Sequence, residues 1–359
     1  MRSVTRSWTV RRAQYTDSDT VQWAWRIPII LMNIFPIALM SLISLLPESP
    51  RFLIYQDREE DAETALKKIY GDDSDDYKSK LKELKEAHDK EPSGVSYKDM
   101  LTPGHDQFHP TFLTILAQVN QALTGYGSIS VYGPQIFELL GFGTQQAELI
   151  TQGNYISYLL LMTFAWILID AVGRRSIMLW NSLGLVSMFL LLTLFGGLAS
   201  QADSLGIPKM PPAILGCIAL YIATGNFGIG WLATVFLIPT EIYPTTARAQ
   251  GTAISVIIWG IANFVVTLLT PILFNNLSYW LFLVFAITNL IAGVTTWLFQ
   301  PECGGRSFEE NQEFFKLAKE EGSWRVSKVS KGEYTIFPPA QGEQDGETQP
   351  LLGRVREQI

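Results

Sequence analysis

The sequence predicts an all-α integral membrane protein, a helical bundle with about seven transmembrane helices. Six long stretches contain no Asp, Glu, Lys or Arg: Ile27–Pro47, Gln107–Phe137, Leu149–Ile169, Ser176–Ala202, Met210–Thr240 and Ala249–Pro301. Each is long enough to span a bilayer, since about 20 apolar residues cross one. The last stretch has room for two crossings, divided by a turn-like run at 275–278. A charge in the middle of a bilayer is costly, which explains why these stretches exclude it.

The elements follow in order from a polar N-terminal segment, residues 1–24, and a transmembrane helix expected over 25–46. Residues 47–110 form a charged loop in which Ala62, Ala65 and Leu66 recur at helical spacing, so short amphipathic helices are expected there. Six more transmembrane helices are expected within 111–300, at 112–138, 148–170, 177–199, 212–239, 250–274 and 279–299. Residues 301–359 form a C-terminal tail with one more amphipathic helix, and disorder is expected from about residue 322.

Positive charge is concentrated on one side of the predicted bundle. If the first helix ends in the cytosol near residue 47, then the loops at 51–98, at 174–175, at 248 and from 306 onward are all cytosolic, and they contain most of the Lys and Arg residues. The loops on the opposite side contain one basic residue, Lys209. The net charge of −7 comes largely from cytosolic segments, and no basic patch suggests nucleic acid. Neither metal-ligand spacing, a nucleophile–base grouping nor a cofactor motif is present. We therefore expect neither an enzyme nor a cofactor or metal site.

Four short motifs at the predicted cytosolic helix ends each pair a carboxylate with arginine. They place Glu48 with Arg51, Asp170 with Arg174 and Arg175, Glu241 with Arg248, and Glu302 with Arg306. Because the guanidinium is a planar fork that can bind a carboxylate through two hydrogen bonds, such pairs can form in one state of a rocking bundle and break in another. The alternative is anchoring of the topology by positive charge, which is the simpler explanation for Arg174-Arg175 alone. The repetition at four helix ends favours gating.

In this order and at these spacings, the motifs PESPRFL, D-x-x-G-R-R, E-x-x-P-x-x-x-R and P-E-x-x-G-R-S resemble those of the sugar porter family of the major facilitator superfamily, especially its fungal hexose-transporter-like members. The resemblance runs from about Trp25 to Phe315. It implies a carrier of twelve helices whose halves rock around a central site. Because PESPR ends helix six in that family, this chain is expected to hold helix six and the C-terminal half-bundle, without the first five helices.

Two of the predicted helices are interrupted by glycine. The interruptions are Gly125, Gly127 and Gly133-Pro134 in the helix at 112–138, and Gly225, Gly228 and Gly230 in the helix at 212–239. Glycine loosens the backbone and allows a helix to bend, and broken helices often form the central site of a transporter. Gly125 and Pro134 are therefore candidate gate residues. Close helix packing through small residues is the alternative explanation.

The resemblance also implies a site for the solute. The family's helix-seven signature Q-Q-x-x-G-x-N-x-x-x-Y-Y-x-P reads Q-A-L-T-G-Y-G-S-I-S-V-Y-G-P here, beginning at Gln121. The second Gln, the Asn and the first Tyr are thus replaced by Ala122, Gly127 and Val131. In helix eight a sugar-facing Asn is replaced by Tyr158. The candidate solute-binding residues are Gln121, Tyr126, Tyr132, Tyr158, Phe236 and Asn263.

These replacements leave a less polar site than the family pattern. Gln121 and Asn263 are the main amides that remain, and sugar hydroxyls need such partners. Aromatic rings can still stack on the apolar face of a sugar, although packing within the bundle is the alternative role for each ring. We therefore expect a sugar or related small polar solute, but not simple hexose specificity.

The resulting functional hypothesis is a secondary carrier that works by alternating access. Because one half-bundle supplies one wall of the site, this chain is expected to be truncated and inactive alone, unless a partner supplies the N-terminal half. Its other expected partners are the solute and the lipid bilayer of the plasma membrane, with an endosomal or vacuolar membrane as the alternative. The competing hypothesis is a non-transporting membrane sensor or a partner-binding fragment.

Overall fold

The computed structural model describes residues 19–43, 46, 48–70, 75–90, 95–306 and 308–329. Every regular element within these residues is a helix, so the predicted all-α fold is confirmed. The chain divides into two compact units, Met1–Pro92 and Ser93–Ile359. Most of the predicted N-terminal segment and the tail after residue 329 lie outside the described residues.

The first unit contains one long apolar helix and three shorter helices. They are α1 (Asp19–Ile43), α2 (Pro50–Tyr55), α3 (Glu59–Tyr70) and α4 (Asp75–Lys90). Proline is the first residue of α2. Its missing N–H costs nothing there, because the first N–H of a helix has no acceptor within the helix. Leu53 and Ile54 of α2 pack against Ala62 and Ala65 of α3 in a small apolar core. The apolar spacing of the charged loop thus produces short amphipathic helices.

The second unit is a helical bundle followed by a packed tail. Its helices are α5 (Tyr97–Leu101), α6 (Phe108–Leu123), α7 (Tyr126–Leu140), α8 (Thr144–Met162), α9 (Ala165–Val172), α10 (Arg174–Ser200), α11 (Ala202–Leu205), α12 (Met210–Asn226), α13 (Thr234–Ile242), α14 (Thr245–Leu277), α15 (Leu281–Phe299) and α16 (Phe308–Glu320). A π-helix at Phe227–Leu232 joins α12 to α13, and a 3-10 turn at Ser278–Trp280 joins α14 to α15.

Three helical runs in the described residues are long and apolar enough to cross a membrane. They are Arg174–Ser200, Met210–Ile242 and Thr246–Phe299. The pair α8 and α9 adds a fourth if it forms one bent span. The run Thr246–Phe299 has 54 residues and comprises α14 and α15, so it offers room for two crossings at about 20 residues each. The total of seven crossings stays a prediction.

Helix α10 is the central helix of the second unit. It packs against α15 on one side and against α12 on another, and Phe189 of α10, Phe282 of α15 and Leu220 of α12 belong to the same buried cluster. The outer helix faces are apolar but exposed, as shown by Trp166 and Trp180, which are 69% and 70% exposed. Lipid tails solvate such faces as well as another apolar side chain would. The exposed faces are therefore those of a membrane bundle.

The helix predicted over 148–170 is bent. Its two parts, α8 and α9, meet at an angle of 43°. Between them the hydroxyl of Thr163 donates to the carbonyl of Leu159 at 2.8 Å. A threonine that bonds the preceding turn competes with the backbone and bends a helix. Neither Gly nor Pro marks this position, and for that reason the sequence predicts a straight helix here.

The tail packs beyond the point where disorder is expected. The ring of Trp324 stacks on His109 at the start of α6, with centroids 4.8 Å apart and an interplanar angle of 11°. Val326 and Val329 are buried as well. The expected onset of disorder near residue 322 is therefore wrong for residues 323–329, because these side chains supply apolar surface. Burial lowers the pKa of His109, which precedes the predicted span, to about 4.

Candidate functional site

Arg174 is the centre of a group of charges at one end of the second unit, in which Glu302 is buried, Glu241 is partly buried and Asp170 is exposed. It begins α10, and its Nη1 lies 2.9 Å from Asp170 Oδ1, while its Nη2 lies 2.7 Å from Glu241 Oε1. Its Nε also donates to both carboxylate oxygens of Glu241, at 2.9 and 3.1 Å. The side chains of Arg174 and Glu241 are only 11% and 16% exposed, so dissolved salt screens this pair weakly. The structure thus joins two of the predicted motifs.

Glu302 brings in a third motif by binding the first turn of α10. Its Oε1 accepts the backbone N–H groups of Arg174 and Gly304, at 2.7 and 3.0 Å. Its Oε2 accepts those of Arg175 and Ser176, at 3.1 and 3.3 Å. The start of a helix has unpaired N–H groups and a partial positive charge, so it favours a carboxylate here. We call Asp170, Arg174, Glu241 and Glu302 the charge cluster.

Two further predicted gate residues bind backbone carbonyls near the charge cluster. The guanidinium of Arg175 donates from Nη2 to the carbonyl of Trp297 at 2.9 Å. That of Arg248 donates from Nη2 to the carbonyl of Tyr243, five residues earlier, at 3.4 Å. Both arginines therefore tie helix ends to neighbouring backbone.

The other predicted gate residues are less closely defined. Arg306 is half-buried in the loop that carries Glu302. Glu48 belongs to the first unit, and the side chain of Arg51 is outside the described set. The hypothesis that all four motifs share one cytosolic layer therefore stays a prediction, although three of them meet within the second unit.

The span predicted over 112–138 is broken into α6 and α7 at Gly125. Gly125 has φ +86°, in the left-handed region that favours glycine. A Cβ at this position would lie 2.7 Å from the ring of Phe285 in α15. A second irregularity lies at Tyr132, with φ −113° and ψ 24°, two residues before Pro134. Both predicted gate positions thus lie at or beside real irregularities, while their role in gating stays a proposal.

Two polar side chains of α15 bind the carbonyl groups at this break. The hydroxyl of Thr288 donates to the carbonyl of Leu123 at 2.7 Å, and the amide of Asn289 donates to that of Thr124 at 3.1 Å. The sequence reasoning missed both residues. Their signal was present, since Thr-Asn lies inside an otherwise apolar stretch where polar groups are costly unless paired.

The second glycine-interrupted span contains a π-helix instead of a break. Gly228 and Gly230 lie within this π-helix, Phe227–Leu232. A Cβ at Gly228 would lie 2.8 Å from the ring of Tyr158, and one at Gly230 would lie 2.4 Å from Asn181. Close helix packing, the alternative explanation, therefore accounts for these two glycines.

Gln121 links the two irregular helices. It lies in α6, is 3% exposed, and its Nε2 donates to the carbonyls of Trp231 and Leu232 at 3.1 and 3.3 Å. Its Oε1 is buried and has no hydrogen-bond partner among the described residues. Irregular backbone inside a membrane needs such side-chain partners. Gln121 therefore donates its amide hydrogens to the last carbonyl groups of the π-helix, while its own carbonyl oxygen accepts no hydrogen bond from the described residues.

Three aromatic rings form a stack beside these irregularities. The ring of Tyr126 lies 4.2 Å from that of Phe227, at an interplanar angle of 7°, and 4.9 Å from that of Tyr158. Tyr126 and Tyr158 are half-buried. The hydroxyl of Tyr132, further along α7, donates to the carbonyl of Thr267 at 3.4 Å. The structure thus brings Tyr126 and Tyr158 into direct contact, as neighbouring members of the predicted site.

The remaining two members of the predicted site lie along α13 and α14. The amide of Asn263 donates to the carbonyl of Trp259 at 3.0 Å, and the ring of Trp259 meets that of Phe236 at 5.8 Å. A Cβ at Gly127 would lie 3.0 Å from Asn263 Oδ1. Gly127, which stands where the family signature has Asn, therefore leaves room for the amide of Asn263.

Known proteins identify the family of this chain. The sequence model described as "Sugar (and other) transporter" matches residues 6–315. The chain belongs to this transporter family. It is 29% identical over 302 residues to the MFS-type transporter oryC of Aspergillus oryzae, a match that covers 82% of this chain and 55% of that protein. It is 27% identical over 345 residues to the sugar transporter STL1 of Saccharomyces cerevisiae, covering 93% and 58%.

A solved structure agrees with the fold. The proton:xylose symporter XylE, bound to 6-bromo-6-deoxy-D-glucose, superposes with a TM-score of 0.59 at 22% identity, covering 78% of this chain and 56% of that one. The chain thus spans a little over half the length of these relatives. Membership in this family makes it a multi-pass membrane protein of the transporter class. The expectation that it is not an enzyme is confirmed at the level of the family.

Proposed function

We propose that this chain forms one wall of a secondary carrier that moves a sugar or a related small polar solute by alternating access. The observation that carries the proposal is the pair of irregular helices, α6–α7 and α12–α13, linked through Gln121. Secondary transporters bind their solute at such interruptions. The names of two matched proteins, a sugar transporter and a proton:xylose symporter, support a sugar-like solute.

The proposed solute site consists of the six predicted side chains, which lie at these irregularities or on the helices next to them: Gln121, Tyr126, Tyr132, Tyr158, Phe236 and Asn263. The three-ring stack of Tyr126 with Phe227 and Tyr158 offers its outer surface to the apolar face of a sugar. The amide of Gln121 donates to two carbonyls, so this side chain offers chiefly its oxygen to solute hydroxyls. The amide of Asn263 donates to one carbonyl, so its oxygen and its second hydrogen are both offered. A wall with more aromatic surface and fewer amides than the family pattern favours a solute less polar than a simple hexose.

Gating is the proposed role of the charge cluster. It joins the ends of α9, α10 and α13 with the loop after α15, in bonds that a rocking motion can break and remake. Full charges suit this task because their bonds are strong at the edge of the membrane and can be replaced there by water. Gly125 and Pro134 are the corresponding proposed hinges at the broken span.

The chain alone is proposed not to transport. The relatives are longer, with 55–58% of their length matched, and alternating access needs two half-bundles around one site. A partner that supplies an N-terminal half would complete the carrier, in the plasma membrane by this proposal. An uncovered polar wall would otherwise face hydrocarbon at a high free-energy cost.

Radiolabelled uptake tests the proposal. The 359-residue chain and the same chain extended by five N-terminal helices of a sugar-porter relative would be expressed in transporter-deficient cells and given a panel of hexoses, pentoses, polyols and aryl glycosides. Saturable uptake by the extended chain alone is the expected result. Uptake by neither protein, with both correctly inserted, would favour the competing sensor or partner-binding hypothesis. Saturable uptake by the short chain as a monomer would refute its proposed inactivity.

A further inference from the structure

We infer that Thr288 and Asn289 of α15 are positioning residues that hold the break between α6 and α7. The inference rests on the proposed carrier function, and it assigns to α15 a part in the movement of α7. These two side chains lie outside the predicted solute-binding set. They act instead on the backbone at the break, through the two carbonyl groups described above.

The break needs such partners because it removes carbonyl groups from the helical ladder. At Gly125 the backbone turns into the left-handed region, so the carbonyls of Leu123 and Thr124 lie at the end of α6. The last carbonyls of any helix lack intrahelical partners, and in a membrane no bulk water replaces them. A break inside a membrane span is therefore stable only if another helix donates hydrogen bonds to it.

One turn of α15 is shaped to meet this need. Asn289 has two amide hydrogens, which bond the carbonyl of Thr124 and, at 2.8 Å, the carbonyl of Phe285 in its own helix. The second bond of Asn289 fixes its side chain in the orientation that reaches the break. The single hydroxyl hydrogen of Thr288 has two acceptors within reach, the carbonyl of Leu123 at 2.7 Å and that of Phe285 at 3.0 Å. The ring of Phe285 fills the space that a side chain at residue 125 would need. Phe285, Thr288 and Asn289 together therefore form a seat for the break.

The seat has a mechanical consequence for α7. That helix starts directly after the break and carries Tyr126 and Tyr132, so the angle between α6 and α7 decides where these rings stand. A helix that moves as a gate must pivot at a defined point. The seat supplies that point, because it fixes the last carbonyls of α6 directly before the chain continues through Gly125 into α7.

Hydrogen–deuterium exchange of the purified 359-residue chain in lipid nanodiscs tests the seat without any solute. Thr288→Val, at a half-buried position, removes the hydroxyl with little change in volume, and Thr288→Ser keeps the hydroxyl. The matched control is Thr295→Val, because Thr295 joins the same two helices by accepting from the amide of Asn120 at 2.9 Å, away from the break. Asn289→Leu removes the amide in favour of an apolar side chain of similar size.

Thr288→Val is expected to speed exchange of the amides at 126–131 at least fivefold, with Thr288→Ser and Thr295→Val close to wild type. Asn289→Leu should show a larger effect in the same direction. Equal effects of Thr288→Val and Thr295→Val, or no effect of Thr288→Val, would overturn the inference, since ordinary helix packing would then explain the contacts.

Uptake by the extended carrier separates the seat from the solute site. A positioning role predicts that Thr288→Val lowers the maximal uptake rate at least threefold, leaves the half-saturating concentration within twofold, and is rescued by Thr288→Ser. A change confined to the half-saturating concentration would overturn the positioning role. If even the wild-type carrier shows no uptake, the proposed function fails, while the exchange result still decides whether the seat exists.

Discussion

The charge cluster and the two helix irregularities satisfy buried polar groups by different means. At the charge cluster, full charges meet: Arg174 binds two carboxylates, and Glu302 binds a helix start. At the irregularities, neutral amides and a hydroxyl bind carbonyl groups. A full charge is far costlier in hydrocarbon than a neutral amide, so we expect full charges toward the water and neutral partners deeper in the bilayer.

The comparison indicates that the type of hydrogen-bonding group depends on whether the contact has to open during transport. Ion pairs at the membrane edge can open, because water can solvate the separated charges. Water does not reach carbonyl groups inside the bundle, so each carbonyl must keep its hydrogen-bond donor or gain another donor from the protein. The charge cluster is therefore suited to breaking during a transport cycle, whereas the break at Gly125 is suited to pivoting.

The largest effect is expected from Arg174→Met. It leaves Glu241 largely buried without its cationic partner, which should destabilise the second unit by about 3 kcal/mol. Thermal unfolding of the purified chain in nanodiscs measures this. The control is Lys319→Met, which removes an exposed ion pair with Asp106 in the same unit and should leave the unfolding temperature unchanged. Similar losses in the two variants would mean that burial of the charge cluster does not matter.

Gly125→Ala should come next, at about 2–3 kcal/mol. The left-handed backbone disfavours alanine, and the added Cβ would lie 2.7 Å from the ring of Phe285. Gly260→Ala is the control: Gly260 lies in α14, where an added Cβ would meet nothing within 4 Å, so alanine should be neutral or stabilising there. The same unfolding assay applies, and a stable Gly125→Ala protein would argue against a fixed break.

Gln121→Leu should cost about 1–2 kcal/mol and loosen only the π-helix. It takes the amide away from the carbonyls of Trp231 and Leu232, and an unpaired buried carbonyl carries a cost of this size. Hydrogen exchange should rise in residues 227–236 and stay unchanged at the break near Gly125. Faster exchange at both irregularities would show that they are one cooperative structure, contrary to the separate partners described here.

A smaller effect is expected from pH at the tail. The pKa of His109 is about 4 in the packed state, and release of the tail returns it toward the ordinary histidine value of about 6.5. The released state therefore binds more protons as the pH falls between these values. Packing of the tail should thus weaken on going from pH 7 to pH 5, so that the protection factors of residues 323–329, taken against the intrinsic exchange rate at each pH, fall by on the order of tenfold. His109→Phe should abolish most of this dependence. A tail equally protected at both pH values would contradict it.

The sequence predicted the features that depend on local pattern. Charge-free stretches and apolar spacing located the helices, and glycine together with Pro134 located the irregularities. It could not reveal which helix binds which carbonyl, because Gln121 and Trp231, or Asn289 and Thr124, are more than one hundred residues apart in the chain. It also missed the bend at Thr163, which depends on the rotamer of one side chain.

The sharpest gap concerns Gln121. Its place in the family signature suggested direct contact with the solute, whereas its amide hydrogens are bonded to the π-helix. Gln121 can both bind the π-helix and contact the solute in two ways. Either the solute bonds the carbonyl oxygen of Gln121, or it displaces the amide of Gln121 from the backbone carbonyls of the π-helix. This distinction depends on bonds between helices and is therefore absent from the local sequence pattern.

The most direct test of the central claim, that the wall at the helix irregularities binds the solute, is the uptake kinetics of Asn263→Ala and Asn276→Ala in the extended carrier. Both asparagines lie in α14, and each donates to the carbonyl four residues earlier, at 3.0 and 2.9 Å. The two substitutions therefore remove the same kind of hydrogen bond from the helix. Only Asn263 belongs to the proposed solute site. Asn263→Ala should raise the half-saturating concentration at least tenfold, with Asn276→Ala within twofold of wild type. Equal kinetics in the two variants would contradict the proposed site.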